Sequence, residues 1–116
     1  MIFGAETSSD LANLFLEKDN GKRVGAKVIM RPNAREFLFN MSKHFEVVVM
    51  TAALKYYADA MIKLLDPNRC SISDVLYRES CSMTAMGHLV KDLEIFCPVS
   101  MNNIVLVDNS PQCLWL

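Results

Sequence analysis

Thr51, Arg78, Lys91 and the adjacent Asp108 and Asn109 are the side chains whose types could do chemistry together. A hydroxyl donor, two cations and a carboxylate beside an amide form the kit for phosphoryl transfer. The donors and cations suit non-bridging phosphoryl oxygens, and the carboxylate and amide oxygens suit Mg²⁺. Taken singly, each has a plainer role. Thr51 can cap a following helix, Asp108-Asn109-Ser110-Pro111 can be only a turn, and Arg78 and Lys91 can be solvated charges.

The elements that must position these groups are legible from pattern. Asn20-Gly21 lies between the apolar runs 14–17 and 24–30, which favours a positive-φ turn and hence a β-hairpin over 13–30. Residues 1–12 are weakly patterned. Arg31-Pro32 opens a helix over 33–44, with Phe37, Leu38, Met41 and Phe45 at helical spacing as its core-facing stripe. Glu46–Thr51 is short, β-branched and continuously apolar, as a strand covered on both faces would be. A second helix over 54–65 presents Tyr57, Ala60, Met61, Leu64 and Leu65, and Asp66-Pro67-Asn68 ends it. Short extended segments are expected over 74–79 and 88–92, and Asn103–Asp108 reads as a second buried strand.

Apolar strands alternating with helices predict an α/β fold with a largely parallel sheet between helices. Ligands of such sheets sit outside the carboxyl ends of the strands. Thr51 and Asp108 close their strands at that edge.

Composition narrows the function classes. The chain has 116 residues, net charge −1 and 52% hydrophobic residues, which suits one domain able to bury a core without disulfides or zinc. With 12 basic and 13 acidic residues there is no footprint for direct nucleic-acid binding. No run is long and apolar enough for a transmembrane segment, and no targeting segment is visible. Cys70, Cys81, Cys97 and Cys113 contain no C-x-x-C pair and read as reduced thiols in an intracellular protein. His44 and His88 are isolated and read as surface residues.

Arg31-Pro32, Arg35–Leu38, Phe45–Ala52, Tyr57-Ala58-Asp59, Leu64–Pro67, Tyr77–Cys81, Leu89–Leu93 and Ile104–Pro111, in that order, resemble the catalytic domain of the small phosphatases of the RNA polymerase II C-terminal domain. The Dullard-type nuclear-envelope phosphatases belong to the same group, within the haloacid-dehalogenase superfamily. The resemblance implies a haloacid-dehalogenase-like α/β fold with the hairpin as an insert shaping the substrate groove. It implies that Thr51 binds the transferring phosphoryl group, that Lys91 neutralises its oxygens, and that Arg78 lies near it. It also implies that Asn109 ligates Mg²⁺ while Asp108 supports the metal shell, and that the substrate is a phosphoprotein presenting phosphoserine or phosphothreonine, nuclear or cytoplasmic.

The same resemblance implies an aspartyl-phosphate formed on an Asp-x-Asp-x-Thr/Val motif closing a central strand. The seven aspartates, at 10, 19, 59, 66, 74, 92 and 108, contain no Asp-x-Asp pair. The expectation is therefore a partial domain, 1–116, clipped at both ends, with 31–116 as its α/β core and the nucleophile strand missing. Such a chain would be inactive alone and bind Mg²⁺ weakly or not at all. The alternative is a pseudophosphatase that keeps the fold as a binding or scaffold module. A third reading is an unrelated α/β binding domain.

Overall fold

The computed structural model describes residues 11–17 and 20–111. The expected hairpin is present. Strands β1 (Leu11–Glu17) and β2 (Arg23–Ile29) pair antiparallel from Leu11↔Ile29 to Glu17↔Arg23. Gly21 has φ +78°, the left-handed conformation that glycine adopts without a Cβ penalty. The strand begins at Leu11, inside the stretch expected to be unpatterned, and residues 1–10 lie outside the described residues, as do 18 and 19 of the turn.

Helix α1 (Ala34–Ser42) follows Pro32, with Asn33 in the left-handed region at its start. It contributes little core. Phe37 is 43% exposed and Phe45 57%, so the stripe predicted to face inward is only partly covered. Leu38 alone of that stripe packs against the central cluster of Ile62, Ile72 and Val75.

A β-α-β unit forms the centre. Strand β3 (Val48–Met50) runs parallel to β4 (Asp74–Leu76) in the register Val48↔Asp74, and helix α2 (Lys55–Leu65) makes the crossover. α2 buries Ala58, Met61, Ile62 and Leu65, spaced three and four residues apart as a helix face requires. The expected stripe is thus displaced: Met61 and Leu65 are inside, Ala58 and Ile62 join them, and Tyr57, Ala60 and Leu64 are only half-buried. The third pair, β5 (Ser82–Met83) with β6 (Leu89–Val90), is a short antiparallel hairpin closed around Thr84–Gly87.

The last expected strand is not formed. Residues 104–108 join no ladder among the described residues, and Val105 and Val107 are 76% and 63% exposed while Ile104 and Leu106 are half-buried. An apolar run becomes a buried strand only when neighbours cover it, and no strand lies alongside this one among the described residues. The fold is therefore mixed α/β with a two-stranded parallel sheet, smaller than the parallel sheet predicted. His44 and His88 are exposed as expected, and Cys70 and Cys97 are free thiols; Cys113 lies outside the described residues.

Candidate active site

The carboxyl ends of β3 and β4 carry the first group of candidates. Thr51, immediately after β3, is 7% exposed and donates its backbone N–H to the Leu76 carbonyl at 2.8 Å, extending the parallel ladder by one bond. Its Oγ1 accepts the Ala53 N–H at 3.1 Å. The N-cap of α2 is Leu54, so Thr51 does not serve as that helix's cap.

Arg78 opens a single 3₁₀ turn (Arg78–Ser80) just past β4. Its Nε donates to the Ala52 carbonyl at 2.6 Å, which fastens the guanidinium to the loop leaving Thr51. Arg78 is exposed, and its guanidinium offers further donors in the forked geometry that suits an anion. Cys81 adds a second tie, its Sγ lying 3.8 Å from the Thr51 carbonyl oxygen.

Lys91 and Asp108 form the second group. Lys91 follows β6 and is 8% exposed, and its Nζ lies 2.5 Å from Asp108 Oδ2. The register Ser82↔Val90, carried one residue further, sets Cys81 level with Lys91, so the small hairpin links the two groups. Asp108 Oδ1 accepts the Ser110 N–H at 2.8 Å. Burial pushes the Asp108 carboxyl up, but the Lys91 ammonium and the Ser110 N–H outweigh it and hold it below the usual carboxylate range. The turn reading of Asp108–Ser110 and the site reading hold together: one oxygen makes the turn and the other the ion pair.

Asn109 is exposed. The donor set is thin for Mg²⁺, since both Asp108 oxygens are engaged and Asn109 would add one amide oxygen. Among the described residues no three His, Cys, Asp or Glu side chains gather to hold a metal. An octahedral ion that favours carboxylate oxygens is not accommodated by these residues alone.

A support for Arg78 carried no chemical signal in the sequence. The Tyr77 hydroxyl donates to Asp59 Oδ1 on α2, Lys55 Nζ lies 2.9 Å from Asp59 Oδ2, and Lys55 also stands 4.4 Å from the Tyr77 ring centroid. The Tyr77 hydroxyl, with the Lys55 ammonium, holds Asp59 low, and the Asp59 carboxylate, with burial, holds Tyr77 high. Its ring fixes the residue before Arg78 to α2. Tyr77→Phe is expected to lower stability by about 1 kcal/mol, read from a urea midpoint at unchanged slope.

Comparison with known proteins gives this geometry its context. Residues 2–116 match the model of the NLI interacting factor-like phosphatase family. The chain belongs to this family. Among relatives of this NLI interacting factor-like phosphatase domain is CTD small phosphatase-like protein 2 of Dictyostelium discoideum, 39% identical over 82 residues, or 71% of the chain and 14% of that protein. CTD small phosphatase-like protein 3 of Caenorhabditis elegans is 39% identical over 85 residues, 73% of the chain and 29% of the relative. CTD nuclear envelope phosphatase 1 of Xenopus tropicalis is 35% identical over 81 residues, 70% of the chain and 32% of the relative. The chain thus spans under a third of the length of each. No helix among the described residues is long and apolar enough to cross a membrane.

Proposed function

We propose that these residues are the phosphoryl-binding part of an intracellular protein phosphatase acting on phosphoserine or phosphothreonine. Its reaction type would be Mg²⁺-dependent aspartyl-phosphate chemistry, and the compartment nuclear or cytoplasmic. The observation that carries the reading is the placement of Thr51 and Arg78 around one loop, Ala52 included, at the carboxyl end of the parallel pair.

In this reading the Thr51 hydroxyl and the Arg78 guanidinium donate to non-bridging oxygens, and Lys91 neutralises their charge. Asp108 keeps the Lys91 ammonium in place. The missing Asp-x-Asp pair leaves nothing in the 116 residues to attack phosphorus or to protonate the leaving alkoxide. The chain alone binds a phosphoryl group and does not transfer it. The run 104–108, with Val105 and Val107 exposed, and the second edge of β3, which carries no strand among the described residues, are where a further strand would fit.

A pseudophosphatase reading draws on a different observation: both Asp108 oxygens are satisfied without a metal. One assay separates the two. Hydrolysis of an aryl phosphate or a phosphoserine peptide with Mg²⁺ is expected to be undetectable for the 116-residue chain. It is expected to appear when a strand-forming segment containing Asp-x-Asp is supplied. Turnover by the 116-residue chain that Thr51→Ala or Lys91→Ala abolishes would overturn the proposed incompetence. Failure of any upstream sequence to encode that motif would favour the scaffold reading.

A further inference from the structure

The hairpin insert has a charge pattern unlike the rest of the molecule. Residues 20–31 hold Lys22, Arg23, Lys27 and Arg31, four of the chain's 12 basic residues, and none of its 13 acidic ones. All four are exposed. Strand alternation puts Arg23, Gly25, Lys27 and Ile29 on one face of β2, while Val28, 4% exposed, turns to the other, and Met30 beyond the strand is also buried. The only acid in the paired stretches is Glu17, level with Arg23 in the register. Among the described residues none of the four cations is in an ion pair.

Strand β2 is also an edge. It pairs with β1 on one side, and no strand pairs with its other side among the described residues. Edge cations often serve only to discourage strand addition. Here they recur every fourth residue, at 23, 27 and 31, on a chain of net charge −1. Such a row selects what may be added as well as what may not.

We propose that this edge is a docking surface for an extended acidic segment of the phosphoprotein substrate, with carboxylates four residues apart set opposite the β2 cations. This rests on the reading of the site as a phosphoryl-binding site and names its substrate class. Main-chain bonds to the β2 edge fix the register, and the carboxylates supply specificity.

The fold sets the spacing. Arg35 Nε donates to the Leu64 carbonyl at 2.8 Å, so the start of α1, one turn after Arg31, lies at the last turn of α2. Thr51 lies at the other end of that helix. Eleven helical residues span roughly 16 Å, and an extended peptide covers that in about five residues. The acidic pair therefore begins five or more residues from the phosphorylated side chain.

Fluorescence anisotropy on the 116-residue chain tests this with labelled phosphoserine peptides carrying Glu at six and ten residues from the phosphate. The Glu peptide is expected to bind about tenfold tighter than its Gln counterpart at low salt, and the preference to shrink as salt rises. The charge reversal Arg23→Glu/Lys27→Glu should erase the preference, and the milder Arg23→Gln/Lys27→Gln should reduce it with amide shifts confined to the hairpin. Equal affinity for Glu and Gln peptides overturns the proposal, as does equal affinity when the Glu spacing is three. Tighter binding of phosphatidylserine vesicles or of poly(U) than of the Glu peptide also overturns it. A Glu preference that persists when the phosphate is removed or Lys91 is replaced by Met supports the docking surface, while loss of all phosphate dependence in the native chain counts against the site reading.

Discussion

Replacing Asp66 by alanine is expected to destabilise the fold by about 3–4 kcal/mol, because one buried carboxylate holds three backbone donors. Asp66 is 3% exposed at the C-cap of α2. Its Oδ1 accepts the Cys70 N–H at 3.1 Å, and its Oδ2 accepts those of Ser71 and Ile72 at 3.0 and 2.8 Å. The loop it gathers turns through Arg69 at φ +52° and delivers the chain to β4, where Ser73 donates to the Val47 carbonyl. Loss of the carboxylate leaves Ser71 and Ile72, both buried, with unpaired N–H groups, and loosens the strand that carries Tyr77 and Arg78. Asp66→Asn keeps one acceptor and is expected to cost about half as much.

Two measurements check this: urea unfolding, and amide exchange at Cys70, Ser71 and Ile72, which should accelerate well before the rest. A cost below about 1 kcal/mol for Asp66→Ala would refute the argument. The same group sets an acid limit. Burial pushes the Asp66 carboxyl up, but the Ile72, Ser71 and Cys70 N–H groups outweigh it, so its folded value lies below the ordinary one. A depressed carboxylate contributes stability that is present above its unfolded value, near pH 4, and is lost as pH falls through the folded one. Midpoints of the native chain should therefore decline on acidification below about pH 4, and those of Asp66→Ala less steeply.

Residues whose effect is local were legible in the sequence. Asn20-Gly21 between apolar runs specified the hairpin, since a positive φ is a property of those residues themselves. Strand β3 and helix α2 were legible from pattern, while the parallel pairing of β3 with β4 was not, and the buried face of α2 was displaced to Ala58 and Ile62 because Tyr57 and Leu64 are apolar enough to blur the stripe. Burial that depends on neighbours was not legible. Phe37, Val105 and Val107 have the composition of core and stand exposed, because composition does not say whether a covering element lies alongside.

The site divides in the same way. Thr51, Arg78, Lys91, Asp108 and Asn109 could be picked out by chemical type, and the first three stand at or just past strand ends. The bonds that hold them could not be foreseen. Backbone acceptors such as the Ala52 carbonyl carry no signature of residue type, and the Asp66 cage is made mainly of main-chain donors. The nearest available signal was an aspartate before proline at a helix end, which says that the helix stops and nothing about what the carboxylate then gathers.

The pair of Lys91 and Asp108 carries the other large effect. Each side chain is nearly dry, 8% and 3% exposed, so removing one partner strands a charge in a poorly solvated place. Lys91→Met is expected to cost about 3–5 kcal/mol, and Lys91→Met/Asp108→Leu clearly less than the sum of its two single changes. Without the ammonium, burial dominates and the Asp108 carboxyl should rise above its usual range in a carbon-detected titration. In the proposed phosphoryl-binding reading the pair also sets a competition. Asp108 already occupies the Lys91 charge, so an incoming phosphoryl group must compete with it. Asp108→Asn should therefore bind inorganic phosphate more tightly than the native chain, by about tenfold if half of the coupling is recovered. Weaker binding in Asp108→Asn would mean that the carboxylate serves to aim Lys91 at the phosphoryl group and not to hold it in reserve.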